Sequence, residues 1–168
     1  MRIRSANLAD ISSVIRLERE SATAGHWTQE QYEQAFTPDR PKRLVLAAEE
    51  ALSTPARSVA HAAPHTSQGS DVLLVGFLVA RHVAPEWELE NIVVNPLARR
   101  KGIGNRLLDA LLAAAQQTNS NAVFLEVRES NLAARSFYET AGFEQTGRRK
   151  LYYANPAEDA MLYRRKIG

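Results

Sequence analysis

The chain has 168 residues and a formal net charge of +2 at pH 7; 45% of its residues are hydrophobic and 24% are charged. These values predict one globular domain, residues 1–168, and so small a net charge gives no indication of a nucleic-acid partner. The absence of cysteine excludes disulfide bonds, thiolate metal sites and an acyl-cysteine intermediate. Because no apolar run reaches membrane-spanning length and the first residues lack a secretory signal, we expect a cytoplasmic protein without a membrane partner.

The N-terminal half predicts a strand followed by a helix. Residues 1–5 alternate as in a short strand, and Leu8, Ile11, Val14 and Ile15 then recur at helical spacing. This pattern predicts an amphipathic helix that ends near Glu20.

A second, shorter helix is predicted to begin after Thr28. Thr28 and Gln31 form a capping-box pattern, in which each side chain bonds the backbone N–H of the other residue. Trp27 and Tyr32 occupy the hydrophobic-staple positions around this cap, and the helix must end before Pro38.

Three strands are predicted next, at 43–49, 72–83 and 88–94. The segment 51–71 between the first two is rich in Ala, Ser, Thr, Pro and His and has no period, and its length is unusual for a hairpin connection. Its composition favours a mobile insertion, and the alternative is a functional loop. His61 and His65 within it lack carboxylate or cysteine partners at ligand spacing, so we expect no metal site there.

The C-terminal half predicts alternating helices and strands. A helix after Pro96 carries a continuous apolar stripe, a strand follows at 122–127, and a helix at 131–141 is stopped by Gly142. Two final strands are predicted at 143–152 and 160–165. The apolar stripe of the first of these helices consists of Ile103, Leu107, Leu108, Leu111, Leu112 and Ala115. The predicted fold class is therefore mixed α/β.

The segment 94–105 carries the most specific chemical signal. A strand ends there, a basic run from Arg99 to Lys101 follows, and Gly102 and Gly104 open an apolar helix. Glycines let backbone N–H groups approach an anion, and a helix N-terminus adds partial positive charge, so this arrangement suits a pyrophosphate. The alternative is a tight turn that requires glycine for its geometry alone. The segment 94–105 is neither a Walker loop nor a dinucleotide fingerprint. Leu107 stands where that fingerprint has its third glycine.

The pattern Arg99-x-x-Gly102-x-Gly104 resembles the acyl-CoA-binding signature of the GNAT acetyltransferases. The segment 89–96 is similar to the fourth strand of that superfamily, and 125–131 with 137–143 is similar to its fifth strand and fourth helix. Within the superfamily, the chain resembles the RimI branch, the ribosomal-protein-alanine N-acetyltransferases. This resemblance is carried by the segments 125–131, 137–143, 148–153 and 158–160, and by the early segment 25–28.

The resemblance implies the GNAT fold, with about seven strands and four helices in a largely antiparallel sheet that is splayed between its fourth and fifth strands. It also implies acetyl-CoA as cosubstrate and no metal. The implied cofactor-binding residues are the backbone of Ile92, Val93 and Val94 for the pantetheine, the loop of Arg99, Arg100, Lys101, Gly102, Ile103, Gly104 and Asn105 for the pyrophosphate, and Asn131 near the reactive end.

The resemblance assigns Glu126 as general base and Tyr138 as general acid. A base is required because a free α-amine, with a pKa of about 7.7–8.0, is mostly protonated at neutral pH and cannot attack a thioester. Tyr138 also lies at helical spacing with Ala134 and Phe137, which is typical of a core aromatic. A carboxylate in the apolar run at Glu126 requires a partner or a cleft.

Two questions stay open from the sequence alone. Glu90 replaces an apolar residue that is common in the RimI branch, and strand alternation puts it on one face with Glu88 and Ile92. It is a second base, a wall that attracts cations, or a solvated strand residue. The expected acceptor is a protein N-terminal α-amine, with the N-terminal alanine of ribosomal protein S18 as the implied partner. The alternatives are another amine, such as a lysine side chain or a polyamine, and a non-catalytic acyl-CoA-binding module.

Overall fold

The computed structural model describes residues 1–21, 27–37, 42–51 and 72–168. In these residues seven strands form one sheet, and four α-helices pack on its two faces. The strands are β1 (Arg2–Ser5), β2 (Arg43–Ala51), β3 (Val72–Val83), β4 (Glu86–Val94), β5 (Ala122–Arg128), β6 (Glu144–Ala154) and β7 (Ala157–Lys166). The helices are α1 (Ile11–Arg19), α2 (Gln29–Ala35), α3 (Ile103–Gln117) and α4 (Leu132–Thr140). The predicted fold, with its number of strands and helices, is confirmed.

The strands follow the order β1-β2-β3-β4-β5-β7-β6. Every neighbouring pair is antiparallel except β4 and β5, which run parallel. Parallel neighbours need a crossover connection, and α3 supplies it between β4 and β5. The antiparallel pairing is therefore interrupted at the centre of the sheet, between the same two strands where the family resemblance implies a splay.

One hydrophobic core lies on the α3 face of the sheet. The apolar stripe of α3 is buried as predicted, and it packs against the inward side chains of β2 to β5 and β7. Full burial of such an aliphatic side chain contributes about 1.5–3 kcal/mol to the free energy of unfolding. The buried stripe consists of Ile103, Leu107, Leu108, Leu111, Leu112 and Ala115.

A second core lies on the opposite face, under α1 and α2. Val14 and Leu17 of α1 and Tyr32 of α2 pack there against Phe77 and Val79 of β3. Residues of β3 alternate between the two cores because successive side chains in a strand point to opposite faces. The sheet is thus covered on both sides.

The predicted cap of α2 is present. The Thr28 side chain accepts a hydrogen bond from the Gln31 backbone, and the Gln31 side chain accepts one from the Thr28 backbone at 2.8 Å. The rings of Trp27 and Tyr32 lie 5.3 Å apart between centroids, as the staple pattern predicts. This arrangement fixes the direction in which the chain enters α2.

The predicted boundaries differ from the observed ones at the ends of elements. The first helix begins at Ile11 because Asn7 caps a separate 3-10 turn, Leu8–Asp10. Strands β6 and β7 extend to a two-residue connection at 155–156, where the exposed residues show no apolar alternation to predict pairing. Of the predicted insertion at 51–71, Ala51 ends β2 and the remainder, with His61 and His65, lies outside the described residues.

Candidate active site

A cleft opens where β4 and β5 separate. The two strands pair only from Glu86 opposite Ala122 to Leu89 opposite Leu125. Beyond that point each strand stays paired on its other side, β4 with β3 and β5 with β7. The cleft has a volume of about 880 Å³, which lies within the usual range of ligand pockets. Backbone N–H and C=O groups that have no strand neighbour here can bind the amides of an extended ligand.

A β-bulge in β4 coincides with the start of the cleft. Ala80 of β3 pairs with Leu89 and Val79 pairs with Asn91, so that Glu90 is the extra residue. A bulge bends its strand and increases the local twist, which turns the end of β4 away from β5. The separation of the two strands therefore follows from the backbone of β4 itself.

The loop before α3 forms an anion cradle at one end of the cleft. Arg100 and Gly102 have positive φ angles of 65° and 76°, and Gly102 is the N-cap of α3. Left-handed residues beside a helix N-terminus turn successive N–H groups toward one point, an arrangement that binds phosphate. Arg99 adds a cation, and its guanidinium is held by the Val94 carbonyl and the Ser21 hydroxyl. The residues of this loop fit a pyrophosphate.

The glycine at position 104 also has a packing role. A Cβ atom there would lie 3.3 Å from the Phe137 ring of α4, which is tighter than an ordinary contact. Phe137 lines the cleft, so any side chain at Gly104 displaces a wall of the cleft. Gly102, by contrast, has open space around it and is required for its backbone conformation.

Glu126 of β5 lies at the cleft with its side chain largely covered. Its neighbours Leu125 and Val127 belong to the core on the α3 side, so Glu126 points to the face that carries α1 and α2. Its carboxylate forms an ion pair with the Arg149 guanidinium at 3.1 Å. The same carboxylate also interacts with the Tyr152 hydroxyl and raises the pKa of that tyrosine. The Arg149 guanidinium is therefore the cation that the Glu126 carboxylate binds in this structure.

Tyr138 of α4 lies both in the core and at the cleft. Its ring packs against Phe137, Phe143 and Tyr163, and the residue is 6% exposed. Burial raises the pKa of its hydroxyl, so the phenol stays protonated at neutral pH. Tyr138 is thus a core aromatic that also belongs to the lining of the cleft.

The β6–β7 hairpin is attached to the cleft through Arg128. The Arg128 guanidinium bonds Glu158 at 3.1 Å and lies 4.1 Å from the centroid of the Tyr153 ring. Burial, together with the charge of Glu126, raises the pKa of Tyr153 to about 12. Tyr153 therefore contributes a neutral phenol to the lining of the cleft.

Glu90 is paired and largely covered, which excludes the solvated strand residue among its three alternatives. Its carboxylate accepts two hydrogen bonds from Arg43, at 2.9 and 3.1 Å, and lies 3.6 Å from Arg81. The prediction that it shares a face with both Glu88 and Ile92 is wrong in part. Glu88 and Glu90 share Arg81 on one face, whereas Ile92 packs against the core on the other, because the bulge at Glu90 interrupts the alternation.

The model of the Acetyltransferase (GNAT) family matches residues 20–143 of this chain. The matched stretch contains the anion cradle, Glu126, Tyr138 and the other cleft-lining residues except Tyr153. The chain belongs to the GNAT family.

Three relatives are similar to this GNAT protein in sequence or structure. It is 41% identical over 83 residues to the N-alpha-acetyltransferase RimI of Mycobacterium tuberculosis, covering 49% of this chain and 51% of that one. It is 36% identical over 95 residues to the ribosomal protein bS18-alanine N-acetyltransferase of Salmonella typhimurium, covering 55% and 64%. The crystal structure of the ribosomal-protein-S18-alanine N-acetyltransferase from Escherichia coli matches with a TM-score of 0.72 at 25% identity, covering 99% and 94%. These relatives confirm the resemblance to the RimI branch.

The chain spans only about half of the length of the curated relatives that it matches. In residues 1–21, 27–37, 42–51 and 72–168, no group of three His, Cys, Asp or Glu side chains is placed to hold a metal ion. No helix in that described part of the chain is long and apolar enough to cross a membrane.

The structure gathers most of the predicted site residues of this GNAT protein around one cleft. Those that line it are Ile92, Val93, Val94, Arg99, Arg100, Gly102, Ile103, Gly104, Asn105, Glu126, Asn131 and Tyr138. Lys101 is not among the lining residues, and its ammonium group instead lies 3.3 Å from Glu50. Asn131 is the N-cap of α4, where its side-chain oxygen Oδ1 accepts a hydrogen bond from the Ala134 backbone N–H. Of the early RimI-like segment, residues 25 and 26 lie outside the described residues.

Sequence reasoning missed the partners of the site residues. Arg149 stands out in the sequence only as part of the segment 148–153, although it pairs with Glu126. Glu18 was not noted at all, although it is buried and bonded to Asn91 of β4. Both contacts join residues far apart in the chain, so no local spacing could reveal them.

Proposed function

We propose that this protein transfers the acetyl group of acetyl-CoA to the N-terminal α-amine of a protein, by direct attack in a ternary complex. The observation that carries the proposal is that Glu126 and Tyr138 line the same cleft, between two strands that no longer pair. One is a proton acceptor on β5 and the other a protonated phenol on α4. The anion cradle before α3 supports acetyl-CoA as the donor.

In the proposed mechanism Glu126 accepts the proton that the α-amine must lose, directly or through a water molecule. The amine nitrogen then attacks the thioester carbonyl carbon, and N–H groups of β4 beyond the bulge stabilise the oxyanion. As the carbon–sulfur bond breaks, Tyr138 donates its proton to the departing thiolate. The nitrogen releases its remaining extra proton to solvent water, and water reprotonates the Tyr138 phenolate. Burial raises the pKa of the Tyr138 hydroxyl, so its proton is present at neutral pH when the thiolate forms.

The substitution Tyr138→Phe is expected to lower kcat by ten-fold or more while acetyl-CoA affinity stays near that of the parent. The phenylalanine ring keeps the core contacts and removes only the hydroxyl. Steady-state kinetics and calorimetric titration of acetyl-CoA measure the two effects.

Tyr163→Phe is the matched control. Tyr163 is also buried in this core, but its hydroxyl bonds Glu139 and Arg135 and does not line the cleft. This control should lose stability and keep its turnover. Equal turnover in the two variants would remove Tyr138 from the mechanism.

For the acceptor we propose the α-amine of an N-terminal alanine, with ribosomal protein S18 as the target. The relatives named for this reaction support the choice. The chemistry also favours it, since the reference pKa of an α-amine is about 7.7–8.0 and that of lysine about 10.4. At neutral pH the neutral, attacking fraction of an α-amine is larger by on the order of a hundred-fold.

Peptides that begin with alanine and carry the S18 N-terminus are expected to be acetylated at the α-amine, at least a hundred-fold faster than an internal lysine. Mass spectrometry locates the acetyl group, and release of free thiol gives the rate. The control peptide has a blocked N-terminus and a free lysine. Faster acetylation of this control would assign the protein to another GNAT acceptor class, and no thiol release with any amine would favour a non-catalytic acyl-CoA-binding module.

A further inference from the structure

Near the end of α1 lies Glu18, a buried carboxylate that the proposed mechanism does not use. Glu18 is 1% exposed and takes part in none of the salt bridges among the described residues. Its Oε1 accepts a hydrogen bond from Asn91 Nδ2 at 2.7 Å, and its Oε2 accepts one from the Trp27 backbone N–H at 3.0 Å. A buried carboxylate is costly unless such bonds satisfy it, so they define one arrangement of the chain.

These bonds join three separate elements. Glu18 belongs to α1, Trp27 precedes the cap of α2, and Asn91 follows the bulge residue of β4. The Tyr32 hydroxyl of α2 lies in the same cluster, where it accepts a bond from Asn91 at 3.3 Å. Burial and the adjacent Glu18 carboxylate raise the pKa of Tyr32, so this hydroxyl stays protonated beside Glu18. The start of α2 is thereby fixed to β4.

The cluster lies beside the reacting end of the cleft. Asn91 lines the cleft, and it is on the face of the sheet to which Glu126 points, under α1 and α2. Ser21, just beyond α1, also lines the cleft and accepts a hydrogen bond from Arg99 of the anion cradle. The end of α1 therefore contacts both the strand near Glu126 and the loop that holds the cofactor.

We propose that Glu18 is a positioning residue for the acceptor. Its carboxylate fixes Trp27 and the start of α2 against β4 at Asn91, and this contact sets the width of the slot through which an amine reaches Glu126. The inference rests on the proposed function, because that function requires an acceptor to enter from the α1–α2 face. Acetyl-CoA binds between β4 and β5 and depends on this contact far less.

The test exchanges the carboxylate of Glu18 and the amide of Asn91 between the two positions, while each side chain keeps its shape. In Glu18→Gln an amide N–H replaces one acceptor and opposes a donor, so KM for the acceptor peptide should rise about ten-fold. Values of kcat and of KM for acetyl-CoA should stay within about two-fold of the parent. Adding Asn91→Asp restores a donor–acceptor pair with the polarity reversed, and it should return the acceptor KM to near the parent value.

Glu49→Gln is the matched control for a purely structural effect. Glu49 is also a buried carboxylate, 9% exposed, but it is bonded to Arg4 between β1 and β2 and does not line the cleft. It should lower the thermal midpoint and leave the acceptor KM unchanged. If Glu18→Gln does not fold, Tyr32→Phe takes its place, and a smaller rise in acceptor KM is expected.

An unchanged acceptor KM in Glu18→Gln, or a double variant no better than the single one, would overturn the positioning role. A parent enzyme that acetylates no α-amine would overturn the proposed function instead. The first result is a ratio of variant to parent and the second is the activity of the parent alone, so the two failures are distinguishable.

Discussion

Glu126→Gln is expected to lower kcat by roughly a hundred- to ten-thousand-fold at neutral pH, the usual range for loss of a general base. The glutamine keeps the size of the side chain and a hydrogen-bond acceptor, but it cannot accept the proton of the amine. It also loses the charge that attracts a cation to this position, where Arg149 lies in the free protein. The substitution should therefore lower kcat and also raise KM for the acceptor.

The dependence of this loss on pH identifies its cause. Below the α-amine pKa of about 7.7–8.0 the acceptor arrives protonated and needs a base before it can attack. Above that pKa it arrives neutral, so the activity of Glu126→Gln should partly recover as the pH rises. A pH profile of kcat/KM for the variant and the parent measures this.

Glu90→Gln is the control for Glu126→Gln, because Glu90 lines the same cleft but is held by two arginines, Arg43 and Arg81, whereas Glu126 has one. We expect this control to lose some stability and to retain most of its turnover. An inactive Glu90→Gln beside an active Glu126→Gln would place the base on β4 and contradict the proposed mechanism.

Gly104→Val is expected to abolish the stabilisation that acetyl-CoA gives to the folded protein. At a ligand concentration of 100 Kd that stabilisation is about 2.7 kcal/mol, or about 5–10 °C in Tm for a chain of this size. A valine presses on the Phe137 ring, which lines the cleft, and it adds bulk beside the anion cradle. Thermal melts with and without acetyl-CoA measure the loss.

The control for this melt is Gly147→Val. A Cβ atom at Gly147 meets only Leu162, at the ordinary distance of 4.0 Å, and the position is on β6 away from the cleft. This variant should fold and show the full shift with acetyl-CoA. An equal shift in Gly104→Val would contradict the assignment of the loop before α3 to the pyrophosphate.

Most of the fold could be predicted because its signals are local. The apolar stripe of α3 has the helical period, and the capping box at Thr28 and Gln31 marks the start of α2. The ends of β6 and β7 could not be predicted, since pairing across their exposed hairpin leaves no apolar pattern. The bulge at Glu90 was equally invisible, because it depends on the register between two strands.

The candidate site could likewise be predicted only where its signals are local. The loop at Arg99 to Gly104 and the segment from Glu126 to Tyr138 are continuous motifs, and their residues were identified from the sequence. Their partners were not, because Arg149 reaches Glu126 from another strand and only the folded chain brings them together. A motif therefore names the candidate residues, and the tertiary structure sets their partners and orientation.

The separation of β4 from β5 has a mechanical consequence. The strands β1 to β4 and the strands β5 to β7 form two half-sheets, joined in the sheet by the short parallel ladder that ends at Leu89 and Leu125. An extended ligand in the cleft would take the place of the missing ladder and bridge the two halves. The donor substrate would then act as a temporary strand of the sheet, and its release after each turnover would reopen a seam through the centre of the protein.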